Sequence, residues 1–342
     1  MSLAQEAQRA DSDTAFSNIP IIDLKDATDV SPAKQVALAK EIRDACVNVG
    51  FFYVKNHGIP ESTIDTAVER MKQYFSLPQE VKMEHEITKT PNFKGYSAVL
   101  SSNNDPNGAG DMHEGFEFGF EPIHPPAAPA LVDGATTQEK GGVMAGANAW
   151  PREEHAPGFR EGVLGYYHAA VALGRLLFPL FALALDLPAN FFDDMTKNSA
   201  ALMRVLHYPP QTGPVDDRVL GIGAHTDWEC FTILWQEPKI QALQVLNTDK
   251  QWIDAPPIEG TLVINLGDQF ARWTNDVFKS TVHRAINRSG VRRYSIPLFF
   301  GTDYDVRLEP IASCVSEERP PRYEVVTAGE YVKSRLKATY GH

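Results

Sequence analysis

From Ala201 onward helical periodicity nearly disappears, and the chain runs through short β-rich segments at close intervals: "LMRVLHY", "FTILWQ", "LQVLN", "WIDAP", "GTLVINL", "STVHRAIN", "YSIPLFF" and "DVRLEP". Strands this short and this numerous favour a closed or double-sheet antiparallel architecture, of which the jelly roll is the common form. "TAGEYVKSRLKATY" then closes the chain as a terminal helix.

The residues ahead of these strands are more mixed. The polar opening "MSLAQEAQRADSDTAFSN", residues 1–18, lacks the apolar run of a secretory signal and is expected to be a flexible arm. "IPIIDL" is a strand, followed by a helix with Ser31 as N-cap, Pro32 at its first position and Gly50 as its stop. "FFYVKNHGIP" is a second strand, and "ESTIDTAVERMKQYFSLP" a second amphipathic helix that ends before Pro78. From Pro91 to Pro157 the chain turns to Asn, Gly and Pro with few periodic signals, which predicts substrate-entrance loops, since loops this long are usually functional or mobile. A long helix from about Phe159 to Leu187 follows, with a kink expected at Pro179. The expected organisation is thus an arm (1–18), an α/β region packed on the core (19–157), and the long helix, strand-rich core and final helix (158–342). No repeat or linker divides them, so they are expected to form one structural unit.

A chain of 342 residues with 43% hydrophobic content can bury a large core. Its 44 acidic residues exceed its 32 basic ones, for a net charge of -12, so a polyanion such as nucleic acid is repelled on average. A small-molecule partner is expected instead. The most apolar stretch, Leu176 to Leu185, contains Pro179 and falls far short of the roughly 20 residues that span a bilayer. Cys46, Cys230 and Cys314 form no CxxC pair, which argues against a disulfide framework or a zinc ribbon and suits a reducing, cytoplasmic setting. A monomer or weak homodimer with no membrane partner is expected.

Within "GAHTDWECFTILWQ" stand His225 and Asp227. On an extended segment, residues two apart point to one face, so the two side chains can converge. "STVHRAIN" supplies His283 from another strand. Two histidines and a carboxylate form the facial triad that suits non-haem Fe(II), although zinc accepts the same donors and a lone strand histidine is more often an ordinary polar group. "RRYSIPLFF" adds Arg293 and Ser295, again two apart, and a guanidinium with a neighbouring hydroxyl suits bidentate capture of a carboxylate.

The order His-x-Asp, distal His, Arg-x-Ser, here His225, Asp227, His283, Arg293 and Ser295, resembles that of the iron(II) and 2-oxoglutarate-dependent oxygenases, in the subgroup of isopenicillin N synthase and the plant flavonoid dioxygenases. "IPIIDL", "GFFYVKNHGIP", "NFKGYSA", "MRVLHYPP", "VINLGDQFARWTND" and "STVHRAINRSGVRRYSIPLFF" also look like family segments, so the likeness covers roughly residues 19 to 335. It implies a double-stranded β-helix, a jelly-roll, cupin-like fold that is mainly β with flanking helices. It also implies Fe(II) held by His225, Asp227 and His283, and 2-oxoglutarate held by Arg293 and Ser295 with help from Tyr208. O2 is the other co-substrate, and ascorbate is a candidate reductant. The reaction implied is oxidative decarboxylation of 2-oxoglutarate coupled to hydroxylation, desaturation or ring formation on a small organic molecule of secondary metabolism. One departure stands out: where many relatives carry Asn-Tyr-Tyr-Pro this chain has Leu206-His207-Tyr208-Pro209, and Leu206 cannot supply the asparagine amide.

Alternatives stay open: an oxidase like isopenicillin N synthase that dispenses with 2-oxoglutarate, a zinc hydrolase, and a non-catalytic binding protein. A hydrolase has no need of the Arg293 and Ser295 clamp. "GIGAHT" lacks the third glycine of a dinucleotide-binding motif and is expected to be a turn, and "GGVMAGANAWP" lacks the Gly-Lys-Ser/Thr of a phosphate loop. "DMHEGFEFGFEP" brings Asp111, His113 and Glu114 together, a cluster expected to be solvated and part of the entrance. Trp228, Phe231 and Phe299 are candidate pocket walls, and Phe116 and Phe118 candidate entrance residues. Together they would favour a neutral cyclic or aromatic substrate over a free amino acid, which needs paired charges in its site.

Overall fold

Among the described residues, twelve strands and seven α-helices make up the fold, and the strands pair into two sheets. The computed structural model describes residues 2–12, 15–29, 31–102, 110–124, 146–198, 201–211 and 220–340. The strands are β1 (Ile21–Asp23), β2 (Phe51–Lys55), β3 (Gly95–Ser97), β4 (Glu114–Gly119), β5 (Leu202–Tyr208), β6 (Ile222–His225), β7 (Phe231–Gln236), β8 (Leu243–Leu246), β9 (Trp252–Asp254), β10 (Thr261–Leu266), β11 (His283–Ala285) and β12 (Arg293–Phe300). The helices are α1 (Leu3–Ser12), α2 (Pro32–Asn48), α3 (Glu61–Phe75), α4 (Gln79–Lys82), α5 (Phe159–Ala184), α6 (Asp268–Trp273) and α7 (Ala328–Tyr340). The larger sheet runs β1-β2-β10-β7-β12-β5-β4-β3 and the smaller β6-β11-β8-β9. All neighbours are antiparallel except β1 with β2. This is the expected jelly-roll core with flanking helices. Strands from the first 120 residues extend the same sheet as the later ones, so the larger sheet crosses the expected 157/158 division.

The period of two along each strand separates core from site. On β7, Phe231 and Ile233 are fully buried, with Phe231 packed on Phe178 and Phe181 of α5, whereas Thr232 and Leu234 line a cavity on the opposite face. Helix α5 is long and apolar enough to cross a membrane by length and composition alone, but it packs against α2, α3 and β12 with most of its apolar residues buried. Pro179 lies inside it. Gly174 permits this approach, because a Cβ there would sit 2.3 Å from the Phe300 ring on β12.

Four expectations need correction. The first residues are not a loose arm: Leu3, Ala4 and Ala7 share one face of α1, are buried, and pack toward α2. The stretch from Pro91 to Pro157 contains β3 and β4, whose alternation is masked by glycines, while residues 103–109 and 125–145 of that expected entrance lie outside the described residues. "GIGAHT" is strand β6 for most of its length. "DVRLEP" forms no strand and contributes one isolated bridge, Arg307 to Thr327.

Candidate active site

Strand β11 lies between β6 and β8, and the register sets His283 directly opposite His225, with ring centroids 4.3 Å apart. Asp227 lies just beyond the end of β6 and turns back, so its Oδ1 stands 3.5 Å from His225 Nε2 and 3.6 Å from His283 Nε2. One ligand atom from each residue falls within 4.8 Å of the other two. The remaining atoms are tied down. His225 Nδ1 pairs with the Gly223 carbonyl at 2.7 Å and His283 Nδ1 with the Thr281 carbonyl at 3.1 Å, which makes Nδ1 the protonated nitrogen and leaves each Nε2 lone pair facing inward. Asp227 Oδ2 accepts from Thr232 Oγ1 and, at 2.7 Å, from Asn265 Nδ2, which turns Oδ1 toward the histidines. Thr232 and Asn265 escaped the sequence reading. A polar residue at an inward position of an apolar strand was the available signal.

The electrostatics agree with that geometry. Burial opposes charge on Asp227, but the histidines, His283 first, and the Thr232 hydroxyl outweigh it and hold the carboxyl well below the usual range. Burial, then the neighbouring His225, pulls His283 down to about 4, so its imidazole is neutral at neutral pH, as a metal ligand must be. His225 is also penalised by burial, yet the Asp227 carboxylate beside it favours the protonated ring and raises it, and a bound metal would take the place of that Nε2 proton.

Next to this cluster, β12 pairs with β5 so that Arg293 faces Tyr208. The guanidinium carbon lies 4.7 Å from the Tyr208 ring centroid, and Ser295 Oγ donates to Tyr208 Oη at 3.4 Å. Arg293 is 1% exposed. Its Nη2 reaches Gln236 Oε1 at 3.4 Å, while its buried Nε and Nη1 have no hydrogen-bond partner among the described residues. An uncompensated guanidinium is costly to bury, so these donors call for an anion. A dicarboxylate fits, with one carboxylate on Arg293 and the other end toward the two histidines and Asp227. Leu206 is a buried apolar wall of the same cavity.

Two family models match the chain, the non-haem dioxygenase N-terminal family named for morphine synthesis over residues 19–153 and the 2OG-Fe(II) oxygenase superfamily over residues 199–302. The 2-oxoglutarate-Fe(II) type oxidoreductase ppzC of Metarhizium rileyi is 36% identical over 334 residues, 95% of this chain and 88% of its own length. The chain belongs to the 2OG-Fe(II) oxygenase superfamily. Homoarginine-6-hydroxylase 2-ODD-233 of Oryza sativa subsp. japonica is 31% identical, covering 95% of this chain and 98% of its own. Among solved structures, a full-length Neurospora crassa protein in complex with alpha-KG and thymine superimposes with a TM-score of 0.80 at 30% identity, over 94% of this chain and 96% of that one. The protein is accordingly an Fe(II)- and 2-oxoglutarate-dependent dioxygenase that oxidises a small organic molecule.

In this oxygenase His225, Asp227, His283, Tyr208, Arg293, Ser295, Trp228 and Phe299 all line one cavity. Phe231, Phe116 and Phe118 do not, which corrects their assignment to the pocket and its entrance. Phe231 stacks on Phe300 at 5.5 Å beneath the sheet. Phe116 and Phe118 pack around Trp150, with Phe116 also against Tyr74 and Phe159, and Glu117 between them takes the cavity side. Strand alternation is the reason in both cases. We expect Phe231→Ala to cost roughly 3–5 kcal/mol of stability and to leave the KM for substrate unchanged, as thermal unfolding and steady-state assays would read.

The cluster Asp111, His113 and Glu114 is buried, not solvated, and its members diverge. Asp111 Oδ1 accepts from the Gly223 amide, His113 Nδ1 pairs with the Gly221 carbonyl, and Glu114 takes Lys82, Tyr96 and His207. Asp111 thus braces β6, His113 the residue before it, and Glu114 ties β4 to α4, β3 and β5. Nor is the cavity as free of charge as the aromatic residues implied. Glu117, Arg204, Glu229 and Arg284 also line it.

Proposed function

We propose that His225, Asp227 and His283 are the iron ligands, that Arg293, Ser295 and Tyr208 hold the distal carboxylate of 2-oxoglutarate, and that the substrate is a small, neutral, cyclic molecule. The observation that carries the co-substrate assignment is the buried Arg293 guanidinium, whose Nε and Nη1 lack a partner among the described residues. Bound iron, with 2-oxoglutarate and O2, supplies the oxidising power. The chain's own residues arrange that chemistry. The Gly223 and Thr281 carbonyls fix the imidazoles, Thr232 and Asn265 aim the carboxylate, and Tyr208 buttresses Arg293 from one side.

Trp228 and Phe299, with Phe93 and Leu202, offer flat apolar contact for the substrate. The likeness to a protein crystallised with thymine supports this reading, while the rice relative, named a homoarginine hydroxylase, favours an amino acid. Secondary metabolism is the proposed context. A cytoplasmic monomer or weak homodimer is the proposed form; the three buried free cysteines suit a reducing compartment, and the acidic balance argues against nucleic acid.

Succinate release from the Fe(II) protein, measured with neutral ring compounds beside arginine, homoarginine and proline, tests the substrate class; preferential turnover of an amino acid would sink it. Phe299→Ala should raise the substrate KM about tenfold or more through lost apolar contact, with the 2-oxoglutarate KM unchanged. An unaltered substrate KM would remove Phe299 from the pocket wall.

A further inference from the structure

Glu117 of β4 and Arg204 of β5 are directly paired across neighbouring strands and both line the cavity. They form an ion pair, with Arg204 Nε 2.7 Å from Glu117 Oε1 and side chains only 13% and 12% exposed. Beside them the cavity wall is apolar, made by Phe93, Leu202, Leu206 and Phe299. A buried ion pair adds little stability, since apolar residues of the same volume commonly do as well or better. Burial pushes the Glu117 carboxyl up, and Arg204 offsets this only in part. Charges kept at such a cost on a ligand wall are accounted for by what the wall recognises.

We infer that Glu117 and Arg204 form the polar end of the substrate site and select an uncharged cyclic amide, imide or ureide. This rests on the neutral-ring reading above and adds its chemical class. Such a ring carries C=O beside N–H on one edge. The guanidinium donates to the carbonyl while the carboxylate accepts from the ring N–H, so one contact pair reads both groups. The pair is neutral as a whole, so a ring acid meets Glu117 and a free amine meets Arg204, each repelled. A zwitterionic amino acid would have to shed the hydration of two ions and open the 2.7 Å contact before gaining either partner.

Calorimetric titration of the Fe(II)- and 2-oxoglutarate-loaded protein, without oxygen, tests this with three probes: uracil, a neutral cyclic ureide; benzoate, a ring acid of similar size; and homoarginine. Wild type should bind uracil in preference to the other two. Arg204→Met should weaken uracil about tenfold or more. Glu117→Gln should weaken uracil as well but strengthen benzoate, because it removes the carboxylate that repels a ring acid and that now pairs with Arg204. A merely structural pair would not produce that inversion. Affinity for 2-oxoglutarate should hold in both variants, which also reports that each is folded. Uracil binding unchanged in both variants, or lost together with 2-oxoglutarate binding, would overturn the inference. Wild type that binds 2-oxoglutarate but prefers benzoate or homoarginine would overturn it too, and would leave the assignment of iron and 2-oxoglutarate ligands standing.

Discussion

Asp227→Ala protein is expected to purify without iron and to release no succinate above background, and His283→Ala protein to behave in the same way. Each substitution removes one of three proposed protein ligands. Loss of a mere outer-shell partner typically costs 10–100-fold in metal affinity, so loss of a ligand must cost more. The two variants should differ in the apo protein. Asp227→Ala strands the Thr232 hydroxyl and the Asn265 amide, which now bond its Oδ2, at about 1–3 kcal/mol for each buried group left unpaired. It also removes a buried anion, which offsets part of that cost. His283→Ala frees the Thr281 carbonyl, takes from Asp227 a neighbour that favours its charged form, and leaves a gap beside Phe51, whose ring lies 5.1 Å from the imidazole. Metal analysis, succinate release and thermal unfolding of the metal-free proteins would check both variants together. Normal iron content with full turnover in either would sink the ligand assignment.

Much of this site was legible because its residues sit on strands at short, regular spacing. His225 with Asp227, and Arg293 with Ser295, each need only a local extended backbone to share a face. Their meeting with His283 follows from antiparallel pairing, which the succession of short β-rich runs already favoured. What stayed hidden depended on which face of a strand a residue takes. Phe231 and Thr232 are adjacent, equally compatible with a β-strand, and point to opposite sides of β7; local sequence does not say which side holds α5 and which the proposed iron ligands. The same ambiguity moved Phe116 and Phe118 into the aromatic core and brought Glu117 to the cavity. Strand β4 was missed because Gly115 and Gly119 break its apolar alternation, although Gly115 is where the backbone passes close to Leu206 on β5. Helix α1 was missed for another reason. Its buried face is Leu3, Ala4 and Ala7, too little apolar surface to register against a polar background, yet enough to pack beside α2.

Arg293→Ala is expected to raise the 2-oxoglutarate requirement far more than that for substrate. Losing a charge-assisted pair with a buried carboxylate costs about 2–5 kcal/mol, equivalent to between roughly 30-fold and a few thousandfold in affinity. Arg293→Lys should fall between the two. It restores a positive charge but not the planar fork that meets two carboxylate oxygens at once. The same reasoning predicts an opposite effect on the protein without co-substrate. In that state the guanidinium is buried with Nε and Nη1 unpartnered among the described residues, so its removal relieves a desolvation penalty that 2-oxoglutarate otherwise offsets. Apo Arg293→Ala should therefore unfold at a temperature no lower than wild type, apart from what is lost with the Tyr208 stacking contact at 4.7 Å. Adding 2-oxoglutarate with metal should raise the wild-type midpoint in proportion to the logarithm of its concentration over Kd and move the variant far less. A variant stabilised by 2-oxoglutarate as strongly as wild type, with an unchanged 2-oxoglutarate KM, would mean that another cation holds the distal carboxylate.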